Sequence, residues 1–137
     1  MWLTAPVARP SVETLKKVPL FAGLDRRELE QIAGSMQERH FPAGSTVVRE
    51  GASGAGFFVV DEGEAEVTIG GEPRRTIGPG HYFGEIALLT GSERTATITA
   101  KTDMLCYGMT PWEFRPLVES NSEIAWKLLT AMAEKLR

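Results

Sequence analysis

From about Gln37 to Met109 glycines and prolines cut the chain into short pieces, and this punctuation restricts the fold more than any other feature. Turn signals recur at Pro42-Ala43-Gly44, Gly51 to Gly56, Glu62-Gly63 and Pro79-Gly80. Between them lie β-branched and aromatic runs of strand length: Thr46-Val47-Val48-Arg49, Phe57-Phe58-Val59-Val60 and Thr95-Ala96-Thr97-Ile98-Thr99. Glu64 to Ile69 alternates strictly, with Ala65, Val67 and Ile69 on one face, and Gly70-Gly71 follows as a hairpin turn. Such dense turns favour an antiparallel barrel or jelly roll over a parallel sheet.

Helical signals flank this region. A short helix is expected from Ser11 to Val18, ended by Pro19. In the next, Asp25 and Glu28 form a D-x-x-E capping box, with Leu24 and Leu29 at the two positions of a hydrophobic staple. Leu29, Ile32, Ala33 and Met36 then repeat with helical spacing, giving one buried face. Beyond the strands, Thr110, Pro111 and Glu113 supply an N-cap, an N1 proline and the reciprocal carboxylate. Trp112 and Phe114 are expected to anchor that helix in the core. A final helix from Ser122 to Arg137 sets Ile124, Leu128, Leu129, Met132 and Leu136 along one stripe, read as core or dimer seam. The expected fold is α+β: an antiparallel β-roll (a double-stranded β-helix or jelly roll) with N-terminal helices before it and two C-terminal helices after it. One domain is expected over 1–137, with a loose arm at 1–10, helices at 11–36, the roll at 37–109 and helices at 110–137. No repeat, low-complexity segment or long linker interrupts this order.

Composition narrows the function. The chain has 137 residues, 42% hydrophobic and 24% charged, as soluble globular domains do. Its net charge of -3 argues against a broad nucleic-acid surface but leaves room for one small anion held by one cation. The lone Cys106 has no partner for a disulfide; inside the apolar run Met104-Leu105-Cys106-Tyr107 it reads as a buried structural thiol. No apolar stretch approaches the ~20 residues that cross a bilayer, and the proline-dotted N-terminus does not resemble a secretion signal. A cytoplasmic protein without a membrane partner is expected.

The chemistry concentrates in Phe83-Gly84-Glu85-Ile86-Ala87-Leu88-Leu89 and the following Thr90 to Thr97. Gly84 removes the side chain where the backbone enters a very short helix, so a ligand can approach the main chain. Amides of that first turn, around Glu85 to Ala87, lack intrahelical acceptors and suit an anion. Arg94 returns across a loop containing Gly91, and its planar fork can grip two phosphate oxygens. Thr95 adds a hydroxyl. Glu85 would repel a phosphate, so its useful partner is a donor held beside one, and a sugar hydroxyl fits. Taken singly, Glu85 is an ordinary first-turn carboxylate, worth about 0.3–1 kcal/mol against the helix dipole, and Arg94 an ordinary solvated surface arginine. No G-x-x-x-x-G-K-[ST] pattern occurs, which argues against a nucleoside triphosphate. The residues together describe a site for a small phosphate ester with an adjacent hydroxyl.

The run FGEIALLTGSERTATI resembles the phosphate-binding cassette of the cyclic-nucleotide-binding domain family, which includes catabolite-activator-type regulators, kinase regulatory domains and cyclic-nucleotide-gated channels. The resemblance extends to VPLFAGLDRRELEQIA, FPAGSTVVREG and GFFVVDEGEAEV, covering about Val18 to Leu136. It implies a regulatory module that binds cAMP or cGMP, cAMP being favoured, with a short phosphate-binding helix after Gly84. Glu85 would accept the ribose 2′-hydroxyl, with Gly84 leaving room and donating an amide. Arg94 would pair with the cyclic phosphate, helped by amides of Ile86, Ala87 and Ala96. Thr95 would reach the phosphate or a syn purine, and Val67, Phe83 and Ala96 are candidates for the base pocket.

Rival readings differ in class. A cupin-like metal enzyme would use His81 and Glu85, but His40 and His81 are the only histidines, too few for such a centre. No nucleophile–base pair is evident, so neither catalytic residues nor a metal or other cofactor is expected. A degenerate interaction module would lack Glu85 or Arg94, and both are present. A fragment of a larger transcription regulator is the other alternative, but the sequence ends in its last helix, before any recognition helix, so no DNA binding by this chain alone is expected. The C-terminal helix is the candidate surface for a homodimer or a regulated partner, and Trp126, Leu129 and Met132 are candidate lid contacts.

Overall fold

The computed structural model describes residues 9–52, 56–84 and 94–137. These hold strands β1 (Gln37–Phe41), β2 (Thr46–Val48), β3 (Phe57–Glu62), β4 (Ala65–Ile69), β5 (Glu72–Ile77), β6 (Tyr82–Phe83), β7 (Thr97–Ala100) and β8 (Met104–Met109). Helices α1 (Val12–Lys16) and α2 (Arg26–Gly34) precede them, and α3 (Pro111–Glu119) and α4 (Ser122–Lys135) follow.

The strands form two four-stranded antiparallel sheets, in the orders β1-β8-β3-β6 and β2-β7-β4-β5. The pairs β1–β8, β2–β7, β3–β6 and β4–β5 are successive rungs of one long hairpin whose tip is Gly70-Gly71. Both tip glycines have positive φ (60° and 81°), as a tight hairpin turn requires. Each rung lies in the opposite sheet from the last, so the hairpin is wound into a roll. The pairings β3–β8 and β4–β7 stitch its coils together. The expected antiparallel roll is the one found.

Period-two alternation then gives the first sheet two buried faces. Phe57 and Val59 of β3, with Tyr107 and Met109 of β8, face the helices. Val60 and Cys106, on the same strands, face the roll interior with Ala65, Val67, Ile98 and Phe83. Burial and the charge of Asp61 push the Cys106 thiol up to about 12, so it is an inert core group.

The helices are held by the caps read from sequence. Asp25 Oδ1 accepts from the Glu28 amide and Glu28 Oε1 accepts from the Asp25 amide, both at 2.9 Å, while Leu24 and Leu29 are buried. The same Glu28 oxygen accepts from Lys127 Nζ at 2.7 Å, which ties α2 to α4. Thr110 and Glu113 form the second box, at the start of α3.

Several expectations are corrected. The first helix stops at Lys16, with Ser11 as its N-cap; Val18 is extended because the following Pro19 disfavours helical backbone, and Pro19–Phe21 forms a 3-10 helix. Of the expected loose arm, residues 1–8 lie outside the described residues and Pro10 is buried. Strand β7 starts at Thr97 rather than Thr95: Thr95 and Ala96 form a bend, and the Arg94 backbone just before them bonds to the β2–β3 connection. Phe114 is buried, but Trp112 is 75% exposed, since the two lie about 200° apart around the helix. Among the described side chains of α4, Ile124 and Leu128 are buried, with Ala131 and Met132 partly so; Leu129 and Leu136 face outward, leaving a second apolar stripe with Trp126.

Truncating Phe57 to alanine is expected to cost about 3–5 kcal/mol, whereas Trp112→Ala stays within about 0.5 kcal/mol of wild type; urea denaturation midpoints measure both. Cys106 keeps its proton when folded but ionises near its ordinary value of 9.0 when unfolded. Its contribution to stability is therefore present below pH 9 and is lost as pH rises toward 12, and a Cys106→Ala control isolates it in pH-dependent unfolding.

Candidate functional site

Strand β6 is followed directly by Gly84, whose φ is +91°. A Cβ there would run into the Gly56 carbonyl oxygen and lie 2.7 Å from Arg94 Nη1. Backbone angle and space thus both demand glycine, and the missing side chain lets the arginine pass.

Arg94 joins two connections of the roll. Its amide donates to the Ala52 carbonyl (3.1 Å), and its carbonyl accepts from the Gly51 amide (2.8 Å). Its Nη2 donates to the Gly56 carbonyl at 2.6 Å. The side chain is no solvated surface arginine: the residue is only 9% exposed. Its Nε–H is buried without a hydrogen-bond partner, and it makes no ion pair with a described carboxylate. Burial lowers the pKa of the guanidinium, because the charge has lost water and gained no counter-charge among the described residues. A buried donor left unpaired costs about 1–3 kcal/mol, which an acceptor entering the site recovers.

The residues singled out from sequence come together in part. Gly84 and Arg94 adjoin, as expected. Thr95 is exposed beside Arg94, and Ala96 packs against the roll interior. Phe83 and Val67 line that interior, Phe83 stacked on Phe58 with centroids 5.3 Å apart. Glu85, Ile86, Ala87 and the expected short helix lie outside the described residues. Sequence reading missed Gly56, noted only as a turn residue, and Phe58, noted only as a strand residue. Nothing in their spacing announces a link to a residue 38 positions away.

His81 Nδ1 accepts from the Gly78 amide (2.9 Å) within its own turn, and Glu85, its partner in the metal reading, lies outside the described residues. Among the described residues no cluster of histidine, cysteine and carboxylate side chains could hold a metal, and no helix is long and apolar enough to cross a membrane.

Residues 38–121 match the family described as the cyclic nucleotide-binding domain. The chain belongs to that family. It is 41% identical over 92 residues to a cAMP-dependent protein kinase regulatory subunit of Yarrowia lipolytica, covering 66% of this chain and 24% of that protein. It therefore spans about a quarter of that relative's length. Its fold is similar to the N-terminal domain of a transcriptional regulator from Streptomyces coelicolor, with a TM-score of 0.86, 31% identity, and coverage of 90% of this chain and 92% of that one. It is also similar to the regulatory domain of Toxoplasma gondii PKA solved with cAMP, with a TM-score of 0.71, 32% identity, and coverage of 78% and 42%. Cyclic-nucleotide-binding domains are β-rolls of this kind.

Gly84→Ala is expected to lower stability by about 1–3 kcal/mol, the scale of forcing a side chain into that backbone region, as read from denaturant unfolding. Without ligand, Arg94→Met is expected to stay within about 1 kcal/mol of wild type, because the lost bond to Gly56 is offset by removing a buried, uncompensated charge. A much larger loss of stability would show that Arg94 serves the fold rather than a ligand.

Proposed function

We propose that this domain is a sensor that binds a cyclic nucleoside monophosphate, with cAMP preferred over cGMP, and that it carries out no chemistry of its own. The observation that carries the reading is the buried guanidinium of Arg94, with its Nε unsatisfied beside the side-chain-free Gly84. A singly charged diester supplies the missing acceptors with one negative charge, matching one arginine. The preference for adenine rests on the kinase regulatory subunit and the cAMP-bound regulatory domain among the similar proteins.

In this reading Arg94 pairs with the cyclic phosphate alongside amides of Gly84, Ile86, Ala87 and Ala96. Glu85 accepts the ribose 2′-hydroxyl, and the purine lies toward Val67 and Phe83, where Thr95 can reach it. No metal or other cofactor takes part.

The output is a shift of α4. Ile124 and Leu128, the partly buried Ala131 and Met132, and the Lys127–Glu28 bond secure that helix to the rest of the helical layer, while Trp126 and Leu129 stay in solvent. Ligand biases its position through a differential affinity for two arrangements, one of which presents the outer stripe to a second copy or a regulated partner. Within a longer chain such a sensor would serve a kinase regulatory subunit or a transcription regulator, the kinds of protein to which this domain is similar.

Calorimetric titration with cAMP, cGMP and 5′-AMP tests the ligand. Tight binding of cAMP, weaker binding of cGMP and little of the linear monophosphate are expected; equal affinity for 5′-AMP rules out recognition of the closed ring. Arg94→Ala is expected to weaken cAMP binding by about 1.5–3 kcal/mol, the range of a charge-assisted hydrogen bond. Glu85→Ala is expected to abolish discrimination against 2′-deoxy-cAMP. Saturating cAMP is expected to change hydrogen-exchange protection in residues 120–137, and unchanged protection there refutes the helix shift.

A further inference from the structure

Phe58 occupies an unusual place. It pairs with Gly108 of β8 on one side and Phe83 of β6 on the other, so its ring lies in a row crossing three strands on the face turned to the roll interior. A Cβ on Gly108 would sit 2.7 Å from the ring's Cε1 and 3.0 Å from Cδ1. A Cβ on Gly56 would sit 2.8 Å from Cε2 and 3.0 Å from Cζ. One edge of the ring thus fills the space over Gly108, and the other fills the space over Gly56. Its face is stacked on Phe83 (interplanar angle 27°), and Phe41 meets it edge-on at 5.9 Å. A ring bounded on both edges and one face has little rotational freedom.

Gly56, which rests on that ring, is the residue whose carbonyl holds Arg94 Nη2. We infer that Phe58 and Gly56 are positioning residues for the phosphate-gripping arginine. The locked ring fixes the Gly56 peptide, the peptide's carbonyl takes one guanidinium hydrogen, and the remaining donors are thereby aimed into the site. Among the described residues no carboxylate orients Arg94, so this backbone carbonyl is the oriented partner, and an apolar ring sets its orientation. A planar fork needs such a hold, because two-point recognition fails when the plane is turned, whereas a lysine ammonium has no plane to set. The inference rests on the ligand reading above and deepens it.

A double-mutant cycle on cAMP affinity tests it. Phe58→Leu removes the ring without adding volume and is expected to weaken binding roughly tenfold, within the range of coupling between residues that share one network. In an Arg94→Lys background, where no fork remains to be aimed, the same change is expected to alter affinity less than twofold. Gly108→Ala presses on the same ring from the side away from Gly56 and is expected to weaken binding as Phe58→Leu does, with no further loss when the two are combined. Circular dichroism and thermal melts of each variant establish that it is folded.

A readout in the unliganded protein runs in parallel. Phe58→Leu is expected to shift the Arg94 Nε–H resonance and its exchange rate. An equal loss of affinity in both arginine backgrounds, or no loss in wild type, overturns the positioning role, as does an unmoved Nε–H signal. Failure of wild type to bind either cyclic nucleotide overturns the ligand reading as well, whereas binding with an additive cycle overturns only the positioning role.

Discussion

A cation withdrawn from water must be compensated by counter-charge or by hydrogen bonds at every donor, and Arg94 has this only in part. One guanidinium hydrogen goes to a backbone carbonyl, while Nε stays buried and unmatched. Much of the surrounding structure exists to permit that placement. Gly84 cannot carry a side chain, and the Arg94 backbone is pinned on both sides by Gly51 and Ala52. The topology supplies the rest. Because β2 pairs with β7 and β3 with β6, the β2–β3 and β6–β7 connections are neighbouring corners of the wound hairpin. An arginine just ahead of β7 therefore meets residues far away in sequence.

The two-sided burial of the first sheet links this corner to the helices. β3 sends Phe57 and Val59 into the helical layer and Phe58 and Val60 into the roll, so one six-residue strand belongs to both cores. The Arg94 corner adjoins β3 through Gly56 and Phe58, and the reverse side of β3 lies against the helices. The helical layer itself is fastened at Glu28, whose carboxylate both caps α2 and receives Lys127 of α4. That shared acceptor connects the start of the chain to its last helix.

Much of this was legible in the sequence, and the exceptions follow a pattern. Local devices read correctly: both capping boxes, the Gly70-Gly71 turn, and the apolar strands around Phe57 and Val67. Polar strands did not. Gln37–Phe41 and Glu72–Ile77 pair at the outer edges of the two sheets, where one neighbour suffices and exposure leaves no hydrophobic alternation to detect. Helical periodicity also failed to choose between the two apolar stripes of α4. Both repeat acceptably, and which one is buried depends on where Phe114 and the 3-10 helix at Pro19–Phe21 lie.

By itself the sequence determined the class of fold, the helix starts and the candidate cassette around Gly84 and Arg94, because these depend on residues near one another along the chain and on side-chain chemistry that travels with the residue. Only the tertiary structure decided that Arg94 is buried, that Gly56 holds it, and that Phe58 stands behind Gly56. Burial and orientation are properties of what the rest of the chain packs against a group. No local pattern encodes a contact between residues 38 positions apart until the hairpin has been wound.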